Sequence, residues 1–197
     1  PDRIDLKITL NGGSPTIASI KRTSSLPRLL PKGRSFDDYV KNDGVGPFKF
    51  ELKTDRGRHP VYQIMKPPEE ITLKFRSDRN ASIYCFAIDK NIDIIQLFPN
   101  KFFNKAKGKN VLKRGKWHNL PDDDWEFGFF AEPPADKTLI KCFAATRDIR
   151  KDLVRELRGL SFDPVPKKFS RRLVEIFAEV PRVAISEASV LLTTINE

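Results

Sequence analysis

Ser82-Ile83-Tyr84-Cys85-Phe86-Ala87-Ile88, followed by Asp89-Lys90-Asn91, decides the fold. Side chains alternate between the two faces of a strand, and from Ile83 to Ile88 both sets are apolar. The segment therefore reads as a central strand covered twice, by a second sheet or by helices. Asp89-Lys90-Asn91 turns the chain into a further strand, Ile92 to Phe98. Upstream, Ile71-Thr72-Leu73-Lys74-Phe75 alternates strictly, with Thr72 and Lys74 opposite the apolar set, as an antiparallel strand half-exposed to water requires. Phe48 to Leu52 and Thr138 to Ala144 repeat the β spacing, so the expected fold is mainly β.

Both ends of the chain depart from that pattern. Ile4-Asp5-Leu6-Lys7-Ile8-Thr9-Leu10, closed by Asn11-Gly12-Gly13, reads as one strand and a turn. Ser14 to Gly33 mixes Ser, Pro, Lys and Arg without sustained periodicity and reads as an extended arm, with Leu26, Leu29 and Leu30 able to anchor it. Beyond Thr146 the period lengthens: Ile149, Leu153 and Leu157 share one face of a helix expected over Asp148 to Arg158, stopped by Gly159. A second helix is expected from Ser170, with Leu173, Ile176, Phe177 and Val180 as its stripe and Pro181 as its end. Val190 to Ile195 is rich in β-branched residues and reads as a final strand. The expected organisation is thus 1–47 strand and arm, 48–147 β-sandwich, and 148–197 helices with a last strand.

Composition narrows the function classes. The 197 residues carry 36 Lys and Arg against 26 Asp and Glu, a formal charge of +10 that favours acidic partners. The longest apolar run, Ile83 to Ile88, is far short of the ~20 residues of a membrane helix, so no membrane span is expected. A start at Pro1 without an initiator Met or signal peptide points to a mature or trimmed portion of something longer. Cys85 and Cys142 are too few for a disulfide scaffold and lack Cys-x-x-Cys spacing. Neighbouring or facing strands could bring them within bonding range; one bridge and two buried thiols explain the sequence equally well.

Leu97-Phe98-Pro99-Asn100 ends a buried strand abruptly, because proline supplies no ladder donor and asparagine suits a turn. It stands in order with Tyr62, Phe75-Arg76-Ser77-Asp78, Tyr84-Cys85-Phe86-Ala87-Ile88-Asp89, Gly115, Leu120-Pro121 and Phe143-Ala144-Ala145. In that order they resemble the bacterial family known as domain of unknown function 4384, over roughly Phe48 to Arg147. The resemblance implies an immunoglobulin-like antiparallel β-sandwich, usually attached to larger exported or envelope-associated proteins, with no assigned catalytic residues. Two departures from the family pattern, Asp89-Lys90-Asn91-Ile92 after the central strand and the acidic, aromatic Asp122 to Phe130, put a shared ligand in doubt.

The strongest candidate surface is the basic loop after that motif. Lys101, Lys105, Lys107, Lys109, Lys113, Arg114 and Lys116 are interleaved with Phe102, Phe103 and Trp117, and no acidic residue intervenes. Such a loop can be an electrostatic platform, cations meeting phosphate or carboxylate while aromatics stack, or a solvated loop whose aromatics fold back onto the sandwich. Arg147, Arg150, Lys151, Arg155 and Arg158 form a second cluster, partly balanced by Asp148, Asp152 and Glu156 at helical spacing, and Lys167, Lys168, Arg171 and Arg172 repeat the ambiguity. Asp122-Asp123-Asp124 lacks the spacing of a calcium loop, so no metal is expected. Trp117 and Trp125 fit core-edge packing as well as a sugar platform.

Two histidines, His59 and His118, cannot easily complete a nucleophile, base and orienting group, and Cys85 with His118 is the least poor pairing. Gly44-Val45-Gly46 lacks the rest of a phosphate loop. The expectation is therefore a non-catalytic protein-binding or assembly module of a bacterial envelope-associated complex, periplasmic or otherwise envelope-associated, without cofactor. The alternative is a polyanion-binding module for nucleic acid or acidic glycan, using the same loop.

Overall fold

A computed structural model describes residues 6–8, 16–18, 34–41, 46–65, 69–100, 110–121, 129–131, 136–159 and 164–196. The chain forms two units, Pro1–Lys32 and Gly33–Glu197. In the first, β1 (Leu6–Ile8) pairs antiparallel with β2 (Thr16–Ala18), Leu6 opposite Ala18 and Ile8 opposite Thr16. The arm expected from Ser14 therefore contains a strand at its start. Leu26, Leu29 and Leu30 lie outside the described residues.

The second unit is a β-sandwich with a helical layer on its back. The central strand β6 (Ala81–Ile88) pairs antiparallel with β10 (Lys137–Ala145) on one side and β7 (Ile94–Phe98) on the other. Next to β10 comes β11 (Ile185–Asn196), antiparallel, and next to β11 comes β4 (Val61–Ile64), whose pairing is parallel. The short β8 (Val111–Leu112) pairs the start of β6. A smaller sheet runs in the order β3 (Phe50–Thr54), β5 (Leu73–Ser77), β9 (His118–Leu120), all antiparallel. The mainly β sandwich with C-terminal helices read from the sequence is the observed architecture, with one parallel pair added.

The double covering of β6 is met by both alternatives at once. Ile83 and Cys85 point into a core closed by Phe50, Leu52, Leu73, Phe75 and Leu120 of the small sheet. Tyr84, Phe86 and Ile88 point the other way, into a second core with Leu153, Leu157, Leu173 and Phe177. Phe177 lies parallel to Phe143 at 4.0 Å between ring centroids and edge-on to Phe86 at 5.8 Å. Each such buried ring stabilises the fold by about 1.5–3 kcal/mol relative to exposure. Residues 148–197 thus supply both the layer over the second core and, through β11, an interior strand of the large sheet.

The helix expected over Asp148 to Arg158 does not form; the chain runs through turns into a single 3-10 turn, Arg155–Leu157. Its apolar spacing was still informative, since Ile149, Leu153 and Leu157 are all buried. The first N–H groups are satisfied as at a helix start, but a carbonyl that a continuing helix would use is taken by a side chain. The Ile149 N–H donates to the Tyr84 hydroxyl at 2.8 Å, the Arg150 N–H to Asp148 at 3.0 Å, and the Arg158 guanidinium donates to the Leu153 carbonyl at 2.9 Å. Of the second helix expected from Ser170, α3 (Leu173–Ala178) forms and keeps Leu173 and Phe177 in the core, and a separate short helix, α2 (Lys167–Ser170), precedes it. The final strand is longer than Val190 to Ile195.

An unexpected helix, which we label α1 (Phe36–Lys41), precedes these elements in the chain. Ser35 and Asp38 cap it reciprocally: the Ser35 N–H donates to Asp38 at 2.9 Å and the Asp38 N–H to the Ser35 hydroxyl at 3.2 Å. Its buried Tyr39 donates to the Ser170 carbonyl at 2.5 Å, and Arg34 pairs with Glu175 at 2.9 Å. At the edge of the large sheet, Arg56 donates to the Val61 carbonyl and Glu69 accepts the Gln63 N–H, while the two pair at 2.8 Å. That ion pair occupies groups of β4 which another strand could otherwise use.

Candidate functional site

Because β3 and β5 alternate strictly, Phe50, Leu52, Leu73 and Phe75 enter the core and the residues between them face solvent. On that outer face, register places Glu51 opposite Arg76 and Lys53 opposite Lys74, with Asn119 beside Lys74. Among the described residues Glu51 is the one acidic outward position of the three strands. It is already taken: Arg76 approaches it at 2.6 Å and Lys49 at 3.0 Å. Burial pushes the Glu51 carboxyl up, but hydrogen bonds from Lys49 and Arg76 outweigh it and hold the group below the usual range. Lys53 and Lys74 form no ion pair among the described residues. Like charges directly opposite each other on adjacent strands cost a few tenths to about 1 kcal/mol.

Trp117 sits beside this pair, 41% exposed, with the Lys53 ammonium 4.4 Å and the Arg76 guanidinium 4.9 Å from its ring centroid. The ring's negative face holds both cations in place. The turn before it is fixed by backbone bonds: the Gly115 N–H donates to the Ser77 carbonyl at 2.7 Å, the Arg114 N–H to Asn80 at 2.9 Å and the Lys113 N–H to His118 Nε2 at 3.0 Å. Gly115 has φ +74°, a conformation that costs other residues strain. Lys113, Arg114 and Lys116 are exposed there. The candidate cations at the end of the basic loop thus join a basic sheet face. The other loop candidates, Lys101, Phe102, Phe103, Lys105, Lys107 and Lys109, lie outside the described residues.

The sequence reading missed Lys49, Lys53 and Arg76 as partners in this surface. Lys53 and Arg76 are ordinary outward positions of alternating strands, and only the fold shows that they converge on Trp117, while Lys49 reaches Glu51. The period-2 pattern was the available signal, since it already assigned Lys74 to the solvent side.

The remaining candidates have structural roles. Leu97-Phe98-Pro99-Asn100 is architecture: the Asn100 amide donates to the Leu97 carbonyl at 2.8 Å, Phe98 is buried between the sheets, and Gly159 packs against Pro99 so closely that a Cβ would strike its carbonyl. Cys85 and Cys142 are opposite each other on β6 and β10 and form a disulfide, with Cα atoms 4.1 Å apart. The Cys85 sulfur is therefore not a thiol, and His118 lies on the other sheet, so that pairing is not made. In the second basic cluster Arg147 pairs with Asp152 at 2.6 Å and Arg150 with Asp148. Lys167 pairs with Asp93 at 2.7 Å and Arg172 with Glu179 at 2.8 Å. Asp122, Asp123, Asp124 and Trp125 lie outside the described residues, and among those described no group of His, Cys, Asp and Glu is placed to hold a metal.

Residues 65–148 match the family model described as a domain of unknown function, DUF4384. That segment is similar to DUF4384 domains. No curated protein and no solved structure matches the chain. The domain brings β5 to β10, and with them Lys74, Arg76 and Trp117; β3, with Lys53 and Glu51, comes from the preceding residues. The basic face is thus assembled from the DUF4384 segment and its flank together.

Proposed function

We propose that the chain is a non-catalytic protein-binding module of a bacterial envelope-associated complex, docking an acidic surface of another component onto the outer face of the small sheet. One observation carries this reading: among the described residues Lys53, over Trp117, and its cross-strand neighbour Lys74 face each other without an ion pair. A repulsive pair of this kind is relieved when an anionic partner arrives, and complementary charge raises association rate and specificity. The Cys85–Cys142 bridge supports placing the module in an oxidising compartment, the periplasm or envelope.

Affinity capture from the native bacterium at moderate ionic strength, with mass spectrometry of what is retained, tests the proposal. Defined envelope proteins should be recovered, and charge reversal on the basic face should reduce their yield. Enrichment of nucleic acid or glycan alone would replace the docking reading with polyanion binding, which the net charge of +10 also suits. That second reading requires affinity that falls steeply with salt.

A further inference from the structure

We infer that Lys53, held over Trp117, and its cross-strand neighbour Lys74 form the centre of an anion-reading surface whose ligand is an acidic polypeptide segment rich in Asp or Glu. The inference rests on the docking reading above and adds the partner's chemistry.

The aromatic group decides between classes of anion. Single-stranded nucleic acids stack successive bases on bare aromatic rings. The Trp117 ring is already occupied by the Lys53 ammonium at 4.4 Å and the Arg76 guanidinium at 4.9 Å. It therefore orients cations instead of offering a stacking platform. The guanidinium beside the ring is committed as well, since Arg76 is paired with Glu51 at 2.6 Å. At the centre of the sheet face this leaves the ammonium groups of Lys53 and Lys74, compact point charges that suit a single carboxylate bridging them.

Spacing supports the same ligand. Lys53 and Lys74 are direct cross-strand neighbours, a separation of about 5 Å between Cβ atoms, which one carboxylate can span. Along β5, the positions Lys74 and Arg76 repeat every two residues, about 7 Å. Alternate residues of an extended acidic peptide have the same repeat, so a second carboxylate can reach the cation-lined row that Glu51 now occupies. Trp117 acts here as a positioning residue.

The test uses the intact chain and three labelled probes at low and physiological salt: a deca-glutamate peptide, single-stranded DNA and heparin, read by fluorescence anisotropy. The peptide should bind, and K53E/K74E should weaken it by about tenfold or more, with K53Q/K74Q intermediate. K151E/R155E changes the net charge equally at exposed positions away from the face and should leave peptide affinity within about twofold. Circular dichroism confirms that each variant is folded. Equal losses in the face and control variants would overturn the site, since binding would then follow net charge alone. Tighter binding of DNA or heparin than of the peptide, abolished by K53E/K74E, would overturn the polypeptide assignment. Capture of a defined envelope protein that K53E/K74E still retains removes this face from both proposals and leaves only a binding module that docks elsewhere on the chain. Peptide binding lost in K53E/K74E, with no protein captured from the bacterium, keeps this site and removes the docking proposal.

Discussion

Removing the Cys85–Cys142 bridge should cost a large share of the stability of this fold. The two cysteines are 57 positions apart in sequence and directly opposite in the register of β6 and β10. In the chain-entropy account, a cross-link closing a loop of that length destabilises the unfolded state by about 4 kcal/mol. A domain of this size is stable by about 5–15 kcal/mol in total. With a urea slope near 2 kcal/mol per molar, the unfolding midpoint should fall by about 2 M on reduction or in the C85A/C142A double variant. Both sulfurs lie in the core between the sheets, so the alanine variant also loses packing and should be no more stable than the reduced protein. The assay is urea unfolding followed by far-UV circular dichroism with and without reductant, alongside thiol titration in denaturant. Two titratable thiols in protein isolated from an oxidising compartment, or an unchanged midpoint on reduction, would refute the reasoning.

The fully buried Lys141 pairs with Glu187 at 3.2 Å, so Glu187→Leu alone should cost about 3–5 kcal/mol, whereas Lys141→Met with Glu187→Leu should be close to neutral; equal losses in the single and double variants in urea unfolding would contradict this. Burial pushes the Asp148 carboxyl up, but hydrogen bonds from Arg150 and Tyr84 overcome it and leave the group at about 2, below its unfolded value. Its stabilising effect is therefore complete above the unfolded pKa near 3.8 and lost as pH falls toward about 2. Asp148→Asn should flatten the acid limb of the stability curve over that window, and superimposable curves for variant and parent would exclude the role. Residues 65–148 taken alone omit β3, β4, β11 and the layer over the second core, so that fragment should give neither dispersed NMR amide signals nor a cooperative melt. A folded fragment would show that the DUF4384 segment closes its core without its flanks.

The basic face was only half legible from sequence. Lys113, Arg114, Lys116 and Trp117 stand together in a loop whose charge is visible in any reading. Lys53 is twenty-one positions from Lys74 and is not marked out among the chain's many lysines; the pairing of β3 with β5 makes them neighbours. The second basic cluster shows the converse. It looked comparable in sequence, yet Arg147, Arg150 and Arg158 are engaged with carboxylates or carbonyls of their own segment.

Alternation is a property of a few adjacent residues, so the sequence by itself determined that β6 is apolar on both faces, that β5 is half-exposed, and that Leu97-Phe98-Pro99-Asn100 ends a strand. It also identified Ile149, Leu153 and Leu157 as buried while misjudging the backbone that buries them. Tertiary structure decided that point: the Ile149 N–H is tied to Tyr84, distant in the chain, and the Leu153 carbonyl accepts from the Arg158 guanidinium. It equally decided the disulfide, the parallel β4–β11 pair, the pairing of Lys53 with Lys74 and the approach of Lys53 to Trp117. Register and strand order depend on contacts between residues far apart in sequence, and no local periodicity encodes which strands become neighbours.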